Sequence, residues 1–93
     1  MIASFGDKNT QKIWSGERVK GMSLDLQELS RRKLRMLNSS INLIDLQIPP
    51  SNRLEKLKGN LKDYYSIRIN DQWRIIFRWT NGIASEVEII DYH

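Results

Sequence analysis

The sequence predicts an α+β fold, with an N-terminal strand and two helices packed on one face of a small, mainly antiparallel sheet of about four strands. Three observations lead there. Leu26, Leu29, Leu34 and Leu37 gather on one side when placed at about 100° per residue, the mark of an amphipathic helix. Ser66–Trp79, SIRINDQWRIIFRW, alternates apolar and polar residues on both sides of Asn70-Asp71, as a hairpin does. Asn81-Gly82 is a two-residue hairpin turn signal, and a further alternating run follows it.

Ile2 to Phe5 is a short apolar opening, read as the first strand. Asp7 can cap a helix and Gly16 can stop it, which frames about two turns carrying Ile13 and Trp14. Gly21-Met22-Ser23 links to the second helix, Leu24 to roughly Asn38, with Ser23 as its cap. Asp25 and Glu28 lie early in that helix and Arg31, Arg32, Lys33 and Arg35 late, an order that matches the helix dipole. The basic cluster is therefore either a solvated face or a docking surface for RNA or an acidic partner.

Ile41 to Leu46 can extend the helical region by one turn. Ile48-Pro49-Pro50-Ser51-Asn52 breaks regular structure, because neither proline donates a backbone hydrogen bond. Leu54 and Leu57 anchor the next segment, Gly59 permits a sharp bend, and Tyr64-Tyr65 lead into the hairpin. Trp73, Ile75, Phe77 and Trp79 share one face of its second strand and belong to the core. Arg74, Ile76 and Arg78 take the other face, together with Arg68 of the first strand. Read this way Arg74 faces outward, and its removal is expected to leave the fold intact because Trp73 and Ile75 carry the burial. The last strand is Ser85 to Tyr92.

Ninety-three residues allow one domain, residues 1–93, with an adequate core. The chain has no cysteine, which excludes disulfides and thiolate metal sites, and its one histidine is His93. No metal and no cofactor are expected. The opening MIASFGDKNT has no basic region before an apolar run, and no apolar stretch approaches the roughly 20 residues of a membrane span. A cytoplasmic protein is expected.

The net charge of +4 is modest, but its distribution is uneven. Arg53 to Arg78 holds seven basic residues against three acidic ones, while Trp79 to His93 holds three acids and neither lysine nor arginine. A basic strip over the hairpin, including Lys56, Lys62, Arg68 and Arg78, suits a polyanion such as RNA. Tyr64 and Tyr65 are the aromatic residues free to meet a base.

LEKLKGN, YYSIRINDQWRIIFRW and VEIIDYH, in that order and spacing, resemble the HigB-type branch of the RelE superfamily of bacterial toxins, and the resemblance spans the whole chain. It implies a RelE-like fold and the toxin of a type II toxin–antitoxin pair. Such toxins cleave mRNA in the A site of the translating 70S ribosome. A HigA-like helix-turn-helix antitoxin, which also binds operator DNA, silences them. Carried over by position, the resemblance points to Lys58 of LKG, Arg74 of QWR, and Asp91, Tyr92 and His93 of the terminal DYH. Some relatives place a histidine where this chain has Glu55, whose carboxylate can take a proton but cannot carry positive charge.

Cleavage by a neighbouring 2′-hydroxyl needs a base, cations at the phosphoryl oxygens, and an acid for the leaving 5′-oxygen. Arg74 suits the phosphate, because its planar fork binds two oxygens and stays charged, and Lys58 adds a second cation. Asp91 and His93 share a face of a regular strand and can pair, raising the histidine toward use as an acid. Alternatively Tyr92 turns inward to stack on a base. The residues alone reach a small basic α+β domain suited to RNA. A non-catalytic RNA-binding or protein-interaction domain of the same fold is the alternative.

Overall fold

The computed structural model describes residues 1–91. Asp7 caps the first helix, α1 (Lys8–Trp14), by accepting a hydrogen bond from the Thr10 amide, and Gly16 closes it at φ 86°. Ser23 caps α2 (Leu24–Ser39) in the same way through the Leu26 amide. Both starts follow the rule that a short polar side chain satisfies an orphan amide of the first turn.

The helical region ends at Ser40, whose backbone is extended. Ile41 to Leu46 does not prolong α2. Instead Leu43–Gln47 forms a separate 3-10 turn, because the Asp45 carboxylate accepts from the Ile41 and Asn42 amides and starts a new turn there. Pro50–Asn52 makes a second such turn and Gly59–Leu61 a third.

The sheet has four antiparallel strands in sequence order: β1 (Glu55–Lys56), β2 (Tyr65–Arg68), β3 (Trp73–Thr80) and β4 (Ile83–Asp91). The expected count of four is met with different members. The fourth antiparallel strand is Glu55–Lys56, and the Ile2–Phe5 segment instead makes two parallel bridges to β4, Ile2 to Ala84 and Phe5 to Val87. Asn81 and Gly82 both take positive φ, 49° and 81°, as a tight β3–β4 turn demands.

One face of the sheet packs on the helices. Ile67, Ile75, Phe77, Val87 and Ile89 meet Ile13, Leu34 and Leu37 there, and Trp73 and Trp79 flank them half-buried. A bulge in β4 makes this possible. Ala84 and Val87 are both fully buried although three residues apart, and the extra residue between them falls beside Glu86, at φ 50°.

Candidate active site

The other sheet face is set by register. Glu55, Ser66, Ile76 and Glu88 form one row across the four strands, and Arg68, Arg74 and Ile90 form the next. Ile76 is only 4% exposed although it lies outside the main core cluster, so this face is covered too.

Arg74 is the surprise of that face. Alternation marks it as outward, yet it is 7% exposed. Its Nε donates to Ser66 Oγ at 2.9 Å and its Nη2 to the Arg53 carbonyl at 2.7 Å. The expectation that Arg74 faces solvent is therefore corrected, and its removal is expected to cost stability rather than to pass unnoticed. Alternation names the face of a strand but not what covers it. Here the Pro49–Arg53 turn folds over and presents a carbonyl.

That turn is itself anchored. Asn52 is fully buried, and its Nδ2 donates to the Leu46 carbonyl at 3.1 Å and to the Met36 sulfur. Its Oδ1 accepts from Lys33 Nζ at 2.6 Å. Arg53 follows in the left-handed region at φ 45°, which turns its carbonyl toward Arg74. A chain of hydrogen bonds thus runs from α2 through Asn52's turn to the guanidinium. Asn52 and Ser66 escape sequence reasoning; a polar pair, Ser51-Asn52, after the paired prolines was the available signal for the first.

The charge here is concentrated. Arg68 lies directly opposite Arg74 in the β2–β3 register. Like charges in that position repel, so the pairing has a cost that an anion would relieve. Asp71 offsets part of it by an ion pair with Arg68. Burial first, and then the Arg68 charge, hold the Lys33 pKa below the usual lysine value.

Along the β1 edge, Glu55 pairs across the strands with Ser66, the residue whose hydroxyl accepts from Arg74. Lys58 follows in extended conformation, and Gly59 turns the chain at φ 67°. Glu55, Lys56, Leu57, Lys58 and Leu61 line a shallow depression of about 350 Å³. Lys56 also lines a second depression, with Arg78. Lys62 is exposed at the end of the turn after Lys58.

Arg78 is tied to its surroundings. It bridges to Glu86 at 2.6 Å and lies 5.0 Å from the Tyr64 ring centre. Tyr64 and then Glu86 push its pKa above the ordinary arginine value. Asp91 pairs with Trp73 and accepts from Gln72 at 3.1 Å, in the row set alternate to Arg74. Tyr92 and His93 lie outside the described residues. Register thus places Glu55, Arg68 and Arg74 on one sheet face, Lys58 shares the first depression with Glu55, and Lys56 and Arg78 share the second. Among the described residues no group of three or more His, Cys, Asp or Glu is placed to hold a metal ion.

Residues 3–93 match the family of RelE-like toxins of the type II toxin–antitoxin system HigB. The chain belongs to the HigB-like toxin family. A relative named Toxin HigB-1, from Vibrio cholerae serotype O1, is 39% identical over 85 residues, which cover 90% of both chains. Endoribonuclease HigB of Proteus vulgaris is 27% identical over 93 residues and the whole of both chains. Among solved structures, a conserved hypothetical protein of Helicobacter pylori superimposes with a TM-score of 0.53 at 15% identity. It covers 96% of this chain and 94% of its own, a likeness of fold. Membership in a HigB-like type II toxin family implies an antitoxin partner. No described helix is long and apolar enough to cross a membrane.

Proposed function

We propose that this HigB-like toxin is a metal-independent endoribonuclease that cleaves mRNA in the A site of the 70S ribosome, in the cytoplasm, and so stops translation and growth. A HigA-like helix-turn-helix antitoxin silences it and links it to operator DNA. The observation that carries the reading is the buried Arg74 guanidinium, fixed by Ser66 and the Arg53 carbonyl and set opposite Arg68. A cation pre-positioned in a covered site stabilises developing phosphoryl charge more than a mobile one in water.

In this reading Arg74 binds the phosphate as negative charge grows, and Lys58 supplies a second cation at the rim of the depression. Glu55, Asp91, Tyr92 and His93 share the proton transfers, from the 2′-hydroxyl and to the 5′-oxygen. Arg68, Arg78, Lys56 and Lys62 draw and orient the RNA backbone.

The test compares one RNA in two settings, free and programmed into ribosomes, with the purified chain. Cleavage is expected on ribosomes only, and a 2′-O-methyl group at the scissile nucleotide should block it. Efficient cutting of the free RNA would overturn ribosome dependence, and cutting of the 2′-O-methyl RNA would overturn attack by the neighbouring hydroxyl.

A further inference from the structure

Beside the Glu55–Lys58 depression lies the second one, about 340 Å³, lined by Lys56, Asp63, Tyr65, Arg78, Trp79 and Thr80. Its volume is at the lower end of the range for small-molecule sites, about 300–1,000 Å³. The two depressions share Lys56, so a strand crossing one enters the other.

The linings differ in what they attract. The first holds two lysines against one glutamate. The second also holds two cations, Lys56 and Arg78, against one acid, Asp63, but Arg78 is paired with Glu86 beside the depression, which weakens its pull. A phosphate gains less there than in the first depression. Aromatic surface takes over instead: Tyr65 and Trp79 are half-buried, and each ring is braced by Phe77, at 6.1 and 6.2 Å between centres. Braced rings lose little freedom when a flat partner stacks on them, and such stacking holds unpaired bases in single-strand binders.

Asp63 adds a reading group. An ionised carboxylate only accepts hydrogen bonds. Adenine, cytosine and guanine each present an exocyclic amino group on the pairing edge. Uracil presents two carbonyls there around a single N–H, and those carbonyls meet the carboxylate with repulsion.

We propose that this second depression is a nucleobase subsite, which takes a base adjoining the cleaved phosphate and favours amino-bearing bases over uracil through Asp63. The proposal rests on the RNA-cleaving reading for its role but not for its test. The probes are short single-stranded RNAs, 2′-O-methylated throughout so that they cannot be cut, identical except for adenosine or uridine at one position. Binding to the full chain is followed by NMR titration, with base-to-indole contacts at Trp79 locating the base.

The adenosine probe is expected to bind roughly tenfold tighter than the uridine probe, as a good base-edge contact discriminates. Asp63→Asn, at an exposed position, should bring the two within about twofold of each other, because an amide both donates and accepts. Equal binding by the parent chain, a preference that survives in D63N, or no contact between base and Trp79 would each overturn the subsite. A preference found in a chain that cleaves nothing on ribosomes would leave the subsite standing and remove the endoribonuclease reading instead.

Discussion

Replacing Arg74 separates structure from chemistry in this toxin, because in the proposed mechanism the same guanidinium serves both. Arg74→Ala removes a charge-assisted donor to the Arg53 carbonyl at 2.7 Å and the bond to Ser66 Oγ. Hydrogen bonds to charged groups contribute about 1.5–3 kcal/mol, and a buried acceptor left without its donor costs a similar amount. A loss of about 2–3 kcal/mol is expected, and for a domain of this size that lowers Tm by roughly 10–20 °C.

A small domain is stable by about 5–15 kcal/mol, so the variant remains almost wholly folded at 25 °C. Its cleavage rate on ribosomes should nevertheless fall about a hundredfold to a thousandfold, the usual loss for one donor at a transition state. Unfolding cannot account for a deficit of that size. Arg74→Lys keeps the charge but not the two-pronged reach, so it should recover part of the melting temperature and little of the rate. The assay pairs calorimetric melting with single-turnover cleavage on programmed ribosomes. An R74K chain that cleaves like the parent would refute the need for a fixed guanidinium, and an R74A chain that melts like the parent would refute the structural half of the argument.

Glu88 has its pKa raised by burial and then by the nearby Asp7 charge. The stability linked to its proton is present below the unfolded value and lost as pH rises through the higher folded one, so the ionised group weakens the fold at neutral pH. Glu88→Gln should therefore melt above the parent at pH 7, with the gap closing near pH 4 in a pH series of melting curves. Gly59→Ala meets no atom within 4 Å, so its cost is the left-handed backbone alone, about 1–2 kcal/mol. Its melting temperature should drop by several degrees, and cleavage should fall with it as Lys58 shifts; an unchanged melt would show that Gly59 carries no backbone constraint. Deleting His93 should change stability by no more than about 0.5 kcal/mol while cleavage collapses. Full activity in that shortened chain would remove His93 from the proposed proton transfers.

What the sequence revealed was local. Asp7 and Ser23 announce helix starts, and Asn81-Gly82 a tight turn, because a cap or turn depends on neighbours one to three residues away. Glu55–Lys56 gave no signal as a strand, since two exposed residues show no alternation. The bulge was hidden because glutamate is an unusual choice for φ 50°. The spacing of Ala84 and Val87, both apolar and three apart, was the readable hint. Lys58, Glu55 and Arg74 were named through the family resemblance, position by position. Arg74's burial could not, because it depends on a carbonyl 21 residues earlier in the chain.

The parallel bridges of the opening segment also bear on when the fold can form. Ser4 Oγ accepts from the Glu86 amide across 82 residues, and the Ile89 amide reaches Thr10 across 79. β4 lies between β3 and the opening segment, so residues 2–5 have no sheet partner until the strand at 83–91 is available. Closing so long a loop is slow, and little is gained before it closes. The sheet is therefore completed late, when residues 83–91 become free to take up the bridges to the opening segment.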